Sequence, residues 1–211
     1  MPVYVIDHAF LLFSHIPKCG GTSVEKTLRR HGQEFLFDRG FHGDPLGFTR
    51  CSVQHLHRSA IDRIFPADMF RYEFAIVRDP FRRIESEFKF RMGLKERSRR
   101  NTRPPELDSE PSVFADWLRF AFDHYAAHPF LFDNHLRPQQ EFIGEKTQVF
   151  RLEDGLGSVF ARLSEVTGRK IAEPALRFQK SKDLVVAWTD QDRALVRDFY
   201  AGDFEQFGYS G

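Results

Sequence analysis

Nine residues near the start constrain this chain more than any others: His15-Ile16-Pro17-Lys18-Cys19-Gly20-Gly21-Thr22-Ser23. The continuous apolar run Phe10-Leu11-Leu12-Phe13 precedes them and reads as a buried parallel strand. Thr22 to Leu28 then opens a helix, with Thr22 or Ser23 as the expected N-cap. A strand, a glycine turn and a helix start together make a cradle for an anion. The glycines let the backbone curl closely around it, and the first helical N–H groups and the positive end of the helix dipole face it. Lys18 adds a mobile charge, and Thr22 and Ser23 add hydroxyl donors. The order differs from the nucleoside-triphosphate loop G-x-x-x-x-G-K-[ST], because Lys18 precedes the glycines. A purely structural corner could also use two glycines.

A second strand, Phe74-Ala75-Ile76-Val77, leads into Arg78-Asp79-Pro80-Phe81-Arg82-Arg83-Ile84-Glu85-Ser86. Asp79 reads as an N-cap and Pro80 as the first helical residue. Arg78 falls at the C-terminal end of its strand, where ligands bind in open α/β sheets. An arginine fork with the Ser86 hydroxyl can hold a phosphate monoester, although a solvated arginine at a helix start has the same sequence. Further on, the apolar spacing predicts helices over 112–126, 156–166 and 191–200, and a third strand over 148–152. Strands alternate with helices, so the expected class is α/β, with a central mainly parallel sheet flanked by helices in a single domain over residues 1–211.

These two segments resemble those of sulfotransferases that use 3′-phosphoadenosine 5′-phosphosulfate (PAPS). Pro-Lys-x-Gly-Gly-Thr-Ser looks like the family's 5′-phosphosulfate loop, and Arg-Asp-Pro-x-x-Arg-x-x-Ser like its 3′-phosphate signature. They also come in the family's order, and the likeness is nearest to the carbohydrate-type branch, which has bacterial members. The resemblance implies a P-loop-like three-layer fold, with PAPS as co-substrate, PAP as product and no metal. It implies that Pro17, Lys18, Cys19, Gly20, Gly21, Thr22 and Ser23 hold the phosphosulfate, with Lys18 on the bridging oxygen. Arg78 and Ser86 would bind the 3′-phosphate, while Asp79 caps the helix and Arg83 braces the site. A late loop over 178–182 resembles the segment that closes over the donor, so Lys180 or Ser181 would contact a phosphate. A thiol at a helix start, as at Cys19, is expected to be somewhat acidified, with no catalytic role.

Between the two cradles lies Gln54-His55-Leu56-His57. On a strand, positions i and i+2 face the same way, so both histidines would point into the cleft. Metal ligation, a bland structural role and general-base catalysis are all open to such a pair, although no cysteine or acidic cluster nearby completes a zinc set. The segment resembles the one that carries the base in uronyl 2-O-sulfotransferases, which would make His57 the base and His55 its assistant, or the reverse. Downstream, Asn134-His135-Leu136-Arg137-Pro138-Gln139 packs unusual polar density between Phe132 and Phe142 and reads either as an acceptor-side lining or as a brace for the cleft.

Charge limits the partners. Lys+Arg 31 against Asp+Glu 30 leaves a net charge of +1, which argues against a nucleic-acid coat. With mean hydropathy −0.45, no apolar run approaches the ~18 residues a membrane span needs, and two cysteines make no disulfide framework. A cytoplasmic enzyme is expected. Its acceptor is expected to be a carbohydrate or glycoconjugate, and an anionic one if the basic segment 93–105, read as a surface linker, contacts it. The sequence carries no signal for oligomeric state. A P-loop small-molecule kinase and a non-catalytic nucleotide-binding module are the alternative readings.

Overall fold

The computed structural model describes residues 3–35, 50–98, 114–173 and 185–210. β1 (Val3–Ile6) and β2 (Ala9–Ser14) form an antiparallel hairpin. Asp7 and His8 at its turn both have positive φ, 47° and 64°, the backbone with which a two-residue turn follows the twist of its strands. β3 (Gln33–Phe35) pairs antiparallel with the far side of β1. β4 (Tyr72–Val77) runs parallel to β2, and β5 (Thr147–Arg151) runs parallel to β4. The sheet order is β3-β1-β2-β4-β5. The expected α/β class and parallel strands are found as β2, β4 and β5, while the antiparallel β1 and β3 were not anticipated.

Seven α-helices are described: α1 (Gly21–Leu28), α2 (Arg58–Ile64), α3 (Pro80–Ser98), α4 (Phe114–Ala127), α5 (Gly157–Thr167), α6 (Asp190–Phe199) and α7 (Ala201–Phe207). Alternation along the strands distributes them in layers. Tyr4, Ile6, Leu11 and Phe13 join Val24 and Leu28 of α1 and Val159 and Leu163 of α5 in one core. Val3 and Leu12 point to the opposite face and pack with Ala60 and Ile61 of α2. A third core, including Ile84, Phe88, Trp117, Leu118 and Val196, joins α3, α4 and α6. Leu11, Leu12, Phe74, Ala75 and Val77 have no exposed surface, which is why β2 and β4 read as continuous apolar runs.

α3 is longer than expected. Asp79 caps it, accepting from Arg82 N–H at 2.9 Å, and the helix continues to Ser98, so the first half of the expected linker 93–105 is helical. Its Lys, Glu and Arg residues are good helix formers that hydrophobic patterning overlooks. Residues 99–105 lie outside the described residues, as do 112 and 113 of the helix expected over 112–126. No described helix is long and apolar enough to cross a membrane. Register sets the working edge: Ser14 pairs with Ala75, and Val77 with Arg151, so the C-terminal ends of β2, β4 and β5 lie side by side.

Candidate active site

The chain leaves β2 at Ser14 and turns through residues 15–20 into α1. Lys18 and Gly20 both have positive φ, 68° and 81°. A non-glycine residue in that region is strained and persists where its surroundings fix it. The N-cap falls two to three residues before the expected position, at Gly20 rather than Thr22 or Ser23. Glycine is needed here for contact as well as conformation. A Cβ on Gly20 would sit 2.9 Å from Leu152 Cδ1, and one on Gly21 would strike the His15 ring. The amides of Lys18, Gly20, Gly21 and Thr22 have no backbone acceptor among the described residues, so the turn presents a row of donors. Thr22 is half-buried and Ser23 buried.

Lys18 reaches over the Phe90 ring, with Nζ 4.2 Å from its centroid, and its ammonium makes no hydrogen bond or ion pair among the described residues. Burial lowers its pKa, Glu87 opposes the fall, and Arg91 and Arg78 add to it. Cys19 corrects an expectation. Burial pushes its thiol up to about 12, against the pull of Arg83 and Arg78. Its Sγ turns away from the turn's donors, to Gln139 Oε1 at 3.3 Å and Pro17 C=O at 3.6 Å. The helix-terminal acidification expected from sequence is outweighed by the loss of solvent.

Arg78 stands at the end of β4, as expected, and donates from Nη1 to Lys18 C=O at 3.2 Å, so the two motifs touch. Arg83 is 2 % exposed and does brace the site, donating to Pro17 C=O at 3.2 Å and to His135 C=O and Arg137 C=O, each at 2.9 Å. Ser86 lies two turns into α3, half-buried. The turn after β5 supports both motifs. Leu152 packs on Gly20, and Glu153 accepts from Asp79 N–H at 3.0 Å and from Tyr209 O–H at 2.9 Å. Lys180 and Ser181 lie outside the described residues.

The histidines are arranged differently from the expectation. His55 ends a 3-10 turn (Val53–His55), and His57 caps α2, so neither lies on a strand. His55 faces His15 and His135, with ring centroids 5.4 and 4.9 Å away, whereas His57 packs on Phe130 at 5.6 Å. His57 Nδ1 is buried without a hydrogen-bond partner among the described residues. Burial holds the His57 pKa down to about 4, with Arg137 adding to the shift.

His15, His55 and His135 form a row in which each Nδ1 meets a carboxylate: Glu25 at 2.5 Å, Asp133 at 2.8 Å and Glu87 at 2.6 Å. Burial lowers the His55 pKa to about 3 despite its hydrogen bond to Asp133. Burial also lowers that of His135, with Glu87 opposing. Burial alone would raise the Glu87 carboxyl, but His135, Arg91 and Lys18 hold it well below the usual carboxylate range. No group of three His, Cys, Asp or Glu side chains among the described residues is disposed to hold a metal ion.

Sequence reasoning missed Asp133 and Glu87, and singled out Gln139 only as part of the polar segment 134–139. Gln139 accepts from Arg78 N–H and donates to Arg78 C=O, both at 2.8 Å. The one available signal was the polar density over 134–139.

Amide donors and a lysine at one strand end, with an arginine at the next, gather anion-binding groups at the C-terminal edge of the sheet of an α/β protein. The sulfotransferase family model matches residues 2–210. The chain therefore belongs to the sulfotransferase family, whose shared activity is transfer of a sulfuryl group. No curated protein and no solved structure matches the chain.

Proposed function

We propose that the protein transfers a sulfuryl group from PAPS to a hydroxyl of a carbohydrate or glycoconjugate, releasing PAP. The observation that carries this reading is the contact between Arg78 Nη1 and Lys18 C=O at 3.2 Å. It supports two anion sites side by side, as a nucleotide with separate 3′- and 5′-phosphates requires. On this reading the Pro17–Ser23 turn holds the 5′-phosphosulfate through its amides, and Arg78 and Ser86 hold the 3′-phosphate. Lys18, which forms no ion pair among the described residues, meets the charge that develops on the leaving phosphate oxygen.

The acceptor hydroxyl needs a proton acceptor, and an imidazole kept neutral at pH 7 supplies one. His55 belongs to the histidine row that adjoins the Lys18 turn. His57 faces Phe130 instead, which supports a base within the row over the expected His57. Residues 1–211 work as one domain on this reading, in the cytoplasm, with Cys19 and Cys51 as buried thiols.

The test is transfer of labelled sulfate from PAPS into a panel of polysaccharides, phenols and amines. Incorporation into a polysaccharide supports the reading. Incorporation only into phenols or amines contradicts its acceptor class.

A further inference from the structure

Three consecutive residues, Phe132, Asp133 and Asn134, all have positive φ, 56°, 60° and 63°. Such a run of non-glycine residues is strained and must be held by its neighbours. Asp133 accepts from Ser52 N–H at 2.5 Å and from Ser52 O–H at 2.6 Å, besides meeting His55. Asn134 donates to His55 C=O at 2.8 Å and accepts from Arg137 Nε at 3.0 Å. The strained turn delivers the next residue, His135, against α3. There its ring stacks on Phe90 with centroids 5.7 Å apart, and the Lys18 ammonium lies over the same Phe90 ring. Among the histidines of the row, His135 thus shares a side-chain neighbour with Lys18.

We infer that His135, oriented by Glu87, takes the proton of the acceptor hydroxyl. The inference rests on the sulfotransferase reading and names a residue that reading leaves open. Glu87 is 1 % exposed in its side chain and also pairs with Arg91 Nε at 2.5 Å, so it is held as a carboxylate. A carboxylate only accepts, so His135 donates Nδ1–H to it, and the lone pair of the ring lies on Nε2. Of the His135 side-chain surface, 11 % remains exposed. The charged and titratable groups facing the ring are Glu87 and Arg91 from α3, Lys18 from the turn and His55 from the 3-10 turn.

The step balances within these groups. The acceptor O–H gives its proton to His135 Nε2, and the oxygen forms a bond to sulfur. The bond between sulfur and the bridging phosphate oxygen breaks, its electron pair stays on that oxygen, and PAP leaves with Lys18 against it. Glu87 acts as a positioning residue through His135, and His55 with Asp133 packs behind it.

The test uses the whole chain, PAP in a calorimeter, and labelled PAPS in excess over enzyme. Water is the sole acceptor first, then a desulfated uronate-rich polysaccharide. His135→Gln is expected to keep PAP affinity within about threefold and lose about 10²- to 10⁴-fold in transfer. Glu87→Gln, should His135→Gln fail to fold, is expected to lower kcat with the donor KM unchanged. It also moves the acid limb of kcat to lower pH, since Glu87 raises the His135 pKa; an unmoved limb assigns Glu87 a structural role only. Wild-type transfer by His135→Gln, or a loss confined to His57→Gln, overturns the assignment. Failure of the wild type to bind PAP sinks the sulfotransferase reading itself. A wild type that binds PAP but releases sulfate to neither acceptor overturns the catalytic assignment alone.

Discussion

The side-chain amide of Gln139 grips the main chain of Arg78 from both sides, with Oε1 2.8 Å from Arg78 N and Nε2 2.8 Å from Arg78 O. The same Oε1 accepts from the Cys19 thiol at 3.3 Å. Asp203 of α7 fixes Gln139 in turn, accepting from its N–H at 2.8 Å. One buried residue thus ties the end of β4 to the turn after β2 through its side chain, and both to α7 through its main-chain N–H. On the proposed function, the spacing between the two anion sites depends on this tie as well as on the sheet.

Gln139→Leu keeps the volume and removes both bonds, leaving a partly buried N–H and C=O on Arg78 without this partner. Such groups cost about 1–3 kcal/mol each. The melting temperature should fall and PAP affinity should weaken with it. A variant with unchanged melting and unchanged affinity would show that the tie is dispensable.

Lys18→Ala removes the ammonium from the mouth of the turn but leaves its amides. Turnover should fall about 10²- to 10³-fold, as for loss of one preorganised charge-stabilising group. PAP binding should change far less than turnover. Steady-state rates with calorimetry separate the two, and parallel losses would move Lys18 from catalysis to simple binding.

Arg78→Ala should discriminate between ligands. A charge-assisted bond to the 3′-phosphate is worth about 1.5–3 kcal/mol, so PAP should weaken roughly 10- to 100-fold and AMP little. Equal losses for both nucleotides would remove the 3′-phosphate from Arg78.

Stability should fall as pH drops below neutrality. Burial holds His55 to about 3 and His57 to about 4, while the unfolded chain takes up protons at about 6.5. Between about 4 and 6.5 the unfolded state therefore binds more protons, and unfolding becomes easier as pH falls. Glu87 and Asp133, held below the usual carboxylate range against the opposing effect of burial, extend the loss to lower pH. Denaturation midpoints at a series of pH values check the sign. His57→Gln should flatten the slope between pH 6.5 and 4, and a steeper slope would contradict the neutral burial of His57.

Local features were legible in the sequence and long-range ones were not. Apolar runs marked β2 and β4, Asp79-Pro80 marked the start of α3, and the glycines marked the turn. The histidine pair misled because alternation over 54–57 imitates a strand. The 3-10 turn that forms there is fixed by Asp133, whose bonds to Ser52 at 2.5 and 2.6 Å span 81 positions of sequence. The Gln139–Arg78 tie spans 61 positions, and no local pattern encodes such a partner. The carboxylates of the histidine row were missed for the same reason.

The most direct measurement is calorimetric binding of PAP to the wild-type protein without added metal, with ADP and AMP as controls. The account predicts tight binding of PAP that depends on its 3′-phosphate, with ADP and AMP much weaker. A preference for ADP that requires Mg²⁺, or no binding of PAP, would contradict it and return the two anion sites to a kinase or a structural role.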